Sequence, residues 1–294
     1  MFVATLIAAG KLTGEVVREA IDRLDATGHE VGAPHWIDEG DAADIFFQGS
    51  LVSARAELAK MDHGALDVVV QPLGDRTKKL IIADMDSTMI TVECIDELAD
   101  YAGIKPQIAA ITERAMRGEL DFRAALIERV GLLGGMAEAT IAECRAERVR
   151  LTRGARTLVQ TMKANGAWSV LVSGGFLPFA APVAEAIGFD KVVANELEIA
   201  GGKLTGKVAE PIVDSTAKLE TLRAEAAARG LALGDTLAVG DGANDIPMIT
   251  SAGLGIGYHP HPAAAAAADA AIRHHDLTAL LWAQGYARRQ WVMG

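Results

Sequence analysis

Three short apolar runs in this chain each break off into polar residues. Lys79-Leu80-Ile81-Ile82-Ala83 stops at Asp84-Met85-Asp86-Ser87-Thr88. Trp168-Ser169-Val170-Leu171-Val172 stops at Ser173-Gly174-Gly175, and Thr236-Leu237-Ala238-Val239 stops at Gly240-Asp241-Gly242-Ala243-Asn244-Asp245. Runs of this length, bounded by turn residues, predict buried strands of an open parallel sheet in an α/β unit. The carboxyl ends of such strands share one edge, where ligands bind, so the three polar breaks are expected to meet at one site. Between the first and second runs the period changes. Ile108-Ala109-Ile111-Ala115-Met116 and Phe122-Leu126-Ile127-Val130 have three- and four-residue spacing, which predicts a small helical cap over about residues 95–160. Before the first run, the apolar stretch 2–8, helical spacing over 16–24, a strand candidate at 41–47, a helical 51–61 and a buried strand at 65–70 follow one another. With the stretch 30–37 between them, they give a strand-helix-strand-strand-helix-strand order, the split βαβ arrangement. Residues 72–78, with Gly74 and a cluster of charges, read as the linker between an N-terminal unit (1–74) and the main unit (79–294).

The polar breaks carry phosphoryl chemistry. A carboxylate at the mouth of a buried strand can attack phosphorus, and a second one two residues on can deliver the proton that the leaving oxygen needs, which suits Asp84 and Asp86. The plainer alternative is a pair of turn residues bonding nearby backbone N–H groups. Asp84 and Asp241 offer hard oxygens for one Mg²⁺, with Asp245 in its ligand set or just behind it. Ser173 and the Gly174 N–H can receive phosphate oxygens, because glycine lets backbone donors approach closely. Lys218 is a candidate point charge for phosphate and nucleophile, although a lysine in such a segment is by default a solvated surface charge.

The order Asp-x-Asp-Ser-Thr (84–88), Ser-Gly-Gly (173–175), a lone downstream lysine (218) and Gly-Asp-Gly-x-Asn-Asp (240–245) resembles the haloacid-dehalogenase-like phosphatases, and within them the phosphoserine phosphatases, from about residue 78 onward. The resemblance implies a Rossmann-like core. It implies Asp84 as nucleophile, Asp86 as general acid and base with its backbone carbonyl facing the metal, Ser173 and Lys218 as phosphate contacts, Asp241 as a metal ligand, and Asn244 orienting the phosphorylated intermediate. The family pattern Val-Glu-Cys and Met-Arg-Gly…Asp-Phe…Glu-Arg-Val further implies Glu93 for the substrate ammonium, Arg129 for its carboxylate, and Met116 with Phe122 as an apolar lid. The N-terminal element order is similar to the small ferredoxin-like, ACT-like domains that bind amino acids in biosynthetic enzymes. An interaction or dimerisation role is equally open to it, and a homodimer is among the expected partners. The activity implied is Mg²⁺-dependent hydrolysis of O-phospho-L-serine, the last step of serine biosynthesis. Its rivals are a relative acting on another small phosphate ester or acceptor, and a non-catalytic amino-acid sensor.

Composition narrows the classes. A net charge of −11 repels a phosphate backbone, and no basic stripe with interleaved aromatics occurs, so nucleic acid is not an expected partner. No apolar stretch approaches a membrane span, and the first residues lack a basic region before a short apolar run, so the expected compartment is the cytoplasm. The two cysteines, Cys94 and Cys144, have no metal-like or disulfide-framework spacing and read as small core hydrophobes. His259, His261, His274 and His275 match no standard ligand spacing. The His-Pro-His-Pro turn at 259–262 replaces the lysine-bearing turn usual in the family. The six alanines from 263 to 268 favour helix.

Overall fold

The structure, a computed structural model, describes residues 1–293 apart from Asp62, Asp75, Gly118 and the Met116 side chain. Six parallel strands form the central sheet, in the order Ala270–Ile272, Leu254–Tyr258, Thr236–Gly240, Leu80–Ala83, Trp168–Phe176, Lys191–Asn195. Leu80–Ala83 is fully buried, as a strand covered by helices on both faces must be. The next strand in sequence lies on one side of it and Thr236–Gly240 on the other. The order therefore reverses direction at Leu80–Ala83, and the crevice at such a switch point is where open α/β sheets bind ligands.

Four helices, Cys94–Tyr101, Lys105–Met116, Phe122–Gly131 and Ala139–Arg148, are inserted after the first core strand. Their entry and exit segments are stitched together, since Thr91 N–H donates to Arg150 O (3.0 Å) and Thr152 N–H to Met89 O (2.9 Å). The following helix, Ala155–Ala164, packs instead on the strand Trp168–Phe176, so the insert ends nearer residue 150 than the 160 expected from periodicity. The hairpin Leu197–Ala200 and Lys203–Val208, which the apolar pattern does not announce, props the helix Phe122–Gly131.

The N-terminal unit follows the split βαβ order, except that the stretch 30–37 is divided between two short strands, Glu30–Val31 and His35–Asp38. Glu30–Val31, Ala42–Gln48, Phe2–Ile7 and Asp67–Pro72 form an antiparallel sheet, with His35–Asp38 also pairing to Ala42–Gln48. The helix Gly14–Ala26 is capped by Thr13, whose hydroxyl accepts the Val16 N–H, and buries Val17, Ala20 and Leu24. One sheet face packs on this helix and Leu51–Leu58 through Ala4, Leu6, Ala43, Ile45 and Val70.

The other face is not open to water. Ile7, Ala42 and Val69 join the core that holds Leu280, Leu281 and Trp282. Thr5, Asp44 and Gln71, which as sequence look like solvent-facing positions, are buried beneath the same C-terminal segment. Arg76, in the linker, forks onto Asp44 with bonds of 2.6 and 2.7 Å, reaches Thr5 Oγ1 (3.0 Å), and also donates to the carbonyls of Trp282 and Ala283. Gln71 donates to Ala283 O (2.7 Å). Asp67 accepts the N–H groups of Arg273, His274 and His275, together with His275 Nδ1 (2.8 Å). Among the described residues no helix is long and apolar enough to cross a membrane. Cys94 and Cys144 are buried and unbridged.

Two stability predictions follow from this docking. Arg76→Ala strands the Asp44 carboxylate, 2% exposed, and is expected to lower unfolding free energy by about 3 kcal/mol in a denaturant titration; adding Asp44→Asn should recover part of the loss, and an unchanged midpoint would contradict the clamp. For Asp67, burial favours the neutral acid, but His275 and the backbone donors outweigh it and hold the carboxyl below its ordinary 3.8. The folded state then binds fewer protons than the unfolded one, so this stabilisation is present above the ordinary value and lost as pH falls through the depressed one. The advantage of the native protein over Asp67→Asn should be full at neutral pH, begin to shrink only as pH falls through about 3.8, and disappear below the depressed value.

Candidate active site

Asp84 extends the central strand by one pairing, its N–H donating to Val239 O (3.0 Å). The chain then turns sharply, with Ser87 in the left-handed region at φ 54°, a conformation that costs a non-glycine residue energy and is retained where surroundings enforce it. This turn delivers Asp84 and Asp86 to one cavity of about 410 Å³, whose wall also includes Glu93, Phe122, Arg129, Gly174, Asp241 and Asn244.

The floor of the cavity is an ion cluster. Lys218 lies one turn into the helix Ser215–Ala228, whose N-cap Asp214 accepts the Ala217 N–H. Its side chain is fully buried, with Nζ 2.6 Å from Asp84 Oδ1 and 2.7 Å from Asp245 Oδ1. The other oxygen of Asp245 accepts the N–H groups of Asp241 (3.1 Å) and Gly242 (3.0 Å). Position 240 must be glycine here, because any Cβ would collide with the Asp245 carboxylate. Asp241 accepts a hydrogen bond from the buried Thr88 hydroxyl at 3.2 Å.

Charge in this cluster is out of balance. Burial and the neighbouring Asp245 raise Asp84 well above the usual carboxylate range, Lys218 offsetting only part of the effect. Burial, Asp245 and Glu93 raise Asp241 to about 6. Burial alone would depress Lys218, yet Asp84 and Asp245 push its pKa upward. Burial comes first among the causes, and crowding of like charge second: Asp84 and Asp245 share one ammonium away from water, with Asp241 beside them. Asp84, Asp241 and Asp245 each bring an oxygen within 4.8 Å of the others, the only such group of ligating side chains among the described residues. An all-oxygen, electron-rich donor set of this size suits a hard divalent cation. Both Asp245 oxygens are already engaged, which leaves Asp84 and Asp241 as the freer donors. The Asp86 carboxylate stands outside the group.

Asp86 faces the other strand end. Its Oδ1 accepts the Cys94 N–H (3.0 Å) and its Oδ2 the Ser173 hydroxyl (3.4 Å). Burial and then the charge of Glu93 raise it to about 7. Ser173 in turn accepts the Gly175 N–H at 2.8 Å. Glu93 is held by the Ser87 hydroxyl (2.6 Å). Arg129 is half-buried, and burial lowers its pKa against the opposing pull of Asp96 and Glu93. Phe122 sits on Gly174, where a Cβ would come within 3.0 Å of its ring. Met116, expected beside Phe122, has its side chain outside the described residues.

Several residues of the site were not singled out from sequence. Ser87 and Thr88 stand inside the quoted motif, and hydroxyls directly after two acids were a usable signal. Asp96 and Thr112 line the cavity and carried none, while His261, in the His-Pro-His-Pro turn, lines it as well. Of the four histidines near the C-terminal end, His261 reaches this site and His275 serves the Asp67 contact.

Comparison with known proteins agrees with the geometry. A family model described as haloacid dehalogenase-like hydrolase matches residues 81–250. A phosphoserine phosphatase of Mycobacterium tuberculosis is 45% identical over 82% of this chain and 58% of its own length, so the chain spans little more than half of that relative. A phosphoserine phosphatase of Idiomarina loihiensis is 44% identical over 69% of this chain and 91% of its own. The crystal structure of a probable phosphoserine phosphatase from Vibrio cholerae superposes with a TM-score of 0.78 at 33% identity, covering 98% of this chain and 87% of that one. The chain belongs to the haloacid dehalogenase-like hydrolases, among their phosphoserine phosphatase relatives.

Proposed function

We propose that this chain is a Mg²⁺-dependent phosphomonoesterase that hydrolyses O-phospho-L-serine to L-serine and phosphate through an aspartyl-phosphate, the final step of serine synthesis. The observation that carries the reading is the pairing of a buried carboxylate locked by lysine, Asp84, with a second carboxylate two residues on, Asp86, whose pKa of about 7 lets it give and take a proton at neutral pH.

An Asp84 oxygen attacks phosphorus in line with the ester oxygen, and Asp86 donates its proton to the departing serine alkoxide. Asp86, now ionised, takes a proton from the water that attacks the acyl phosphate, which releases inorganic phosphate and restores Asp84. Lys218 holds Asp84 on one oxygen, fixing the direction of the other. The Ser173 hydroxyl and the Gly174 N–H offer donors to the phosphoryl oxygens, and such donors matter most where the transferring group carries its charge. Asn244, on the same wall, orients the phosphorylated side chain. A Mg²⁺ ion held by Asp84 and Asp241, with the Asp86 carbonyl, would neutralise charge on the transferring group. Asp245 supports that set by fixing Lys218 and the 241–242 backbone.

Selectivity comes from the insert. Glu93 and Arg129 bring opposite charges to one small cavity, matching the ammonium and carboxylate of a phosphorylated amino acid, and Phe122 closes it against water. The division at residues 1–74 and 79–294 belongs to the same proposal, with the N-terminal unit serving regulation or interaction; its element order supports this.

Asp84→Asn should reduce phosphate release from phosphoserine by at least about a thousandfold with unchanged circular dichroism, the scale seen when a nucleophile is removed. Normal turnover by that variant would exclude the mechanism. Arg129→Ala should cost about 10–100-fold in kcat/KM for phosphoserine but leave O-phosphoethanolamine, which lacks the carboxylate, nearly unaffected. Equal losses on both esters would remove Arg129 from substrate recognition.

A further inference from the structure

The strand Trp168–Phe176 does not run regularly to its end. Val172 pairs with Val193 and Phe176 with Asn195, so Ser173-Gly174-Gly175 bulges out of register between them, a distortion found beside active sites because it re-aims backbone and side chains. Asn195, fully buried, fills the gap. Its Nδ2 donates to Gly174 O (2.8 Å) and reaches Val213 O (3.4 Å), while its Oδ1 accepts the Val213 N–H (2.8 Å).

These bonds fix a peptide plane. In a trans peptide the C=O and N–H point in opposite directions. The Gly174 carbonyl is held by Asn195, and the N–H of the same peptide, on Gly175, is held by Ser173 Oγ (2.8 Å). With both ends pinned, the Gly174–Gly175 plane cannot rotate, and Ser173, having accepted that N–H, keeps its own proton for Asp86 or a phosphate oxygen. The second anchor lies elsewhere in the chain. Val213 precedes Asp214, the N-cap of the helix whose first turn carries Lys218. A planar amide is the side chain that meets this need, since it offers donors and an acceptor side by side without charge.

We infer that Asn195 is a positioning residue for phosphate binding, holding the Ser173–Gly175 loop in one orientation and tying it to the start of the helix that carries Lys218. The inference rests on reading that loop as the phosphate site, and it assigns Asn195 no contact with substrate.

The test uses Asn195→Asp and Asn195→Ala in the full chain, with inorganic phosphate as the probe, titrated calorimetrically in the presence of Mg²⁺. Both variants should bind phosphate about tenfold more weakly or worse, as misplaced contacts do, with the number of sites per chain unchanged. A merely structural role would lower the competent fraction or the melting temperature and leave the affinity of the folded fraction as it was. Affinities within about twofold of the unsubstituted protein would overturn the inference. Should both variants fail to fold, amide hydrogen exchange in the unsubstituted protein decides: Val213 and Gly175 should exchange as slowly as core-strand amides with and without phosphate, and loop-like exchange at Val213 would overturn the clamp. A parent protein that binds phosphate but hydrolyses no phosphoserine would sink the substrate reading alone, and the variant affinities would still decide the role of Asn195.

Discussion

An ammonium buried between carboxylates is the constraint on which the rest of this molecule depends. Removing Lys218 from water costs several kcal/mol, and its attraction to partners repays that only when the geometry is good and the remaining hydrogen-bonding capacity is used. Asp84 and Asp245 supply that geometry at 2.6 and 2.7 Å. In return Lys218 fixes where Asp84 stands and which of its oxygens stays free. Asp245 is itself fixed by two backbone N–H groups, so the helix carrying the lysine and the loop after Val239 become one rigid floor. That floor is buried and still carries more negative than positive charge; burial first, and the neighbouring carboxylates second, explain the raised pKa values of Asp84 and Asp241 and the proposed need for a cation.

The sheet makes this arrangement reachable. A parallel strand places its polar break at the same edge as its neighbours, so residues 84, 173 and 241 meet although each is followed by a long excursion of chain. That much was legible, because an apolar run that fails abruptly into acids or glycines is a local signal. Lys218 was legible only through the order of motifs. Nothing near it in sequence distinguishes a lysine that will be buried from one that will be solvated, since the partners that permit burial are 134 and 27 positions away. Asn195 was invisible for a similar reason: its value lies in a bulge on the adjacent strand and in a carbonyl at Gly174.

The N-terminal unit shows a different limit. Its element order could be read from short apolar stretches and helical spacing, with boundaries off by a few residues. What covers its second face could not. Thr5, Asp44 and Gln71 are polar positions in strands, and polar positions usually mark the wet side of an antiparallel sheet. Here they form a buried layer because Arg76 and the carbonyls of Trp282 and Ala283 arrive from the linker and the far end of the chain. The boundary near residue 150 was missed because the helix Ala155–Ala164 has the same periodicity as the insert helices, and periodicity carries no record of which surface a helix packs on.

The central claim is that the nucleophile is the carboxylate at position 84, poised by Lys218. Acid-quenching the enzyme during turnover of phosphoserine with Mg²⁺, then treating it with borohydride, reduces an acyl phosphate to the alcohol, and peptide mass spectrometry locates the change. The account predicts reduction of Asp84 to homoserine, dependent on substrate and absent from every other acid in the chain. Substrate-dependent reduction at another residue, or none while phosphate is being released, would contradict it.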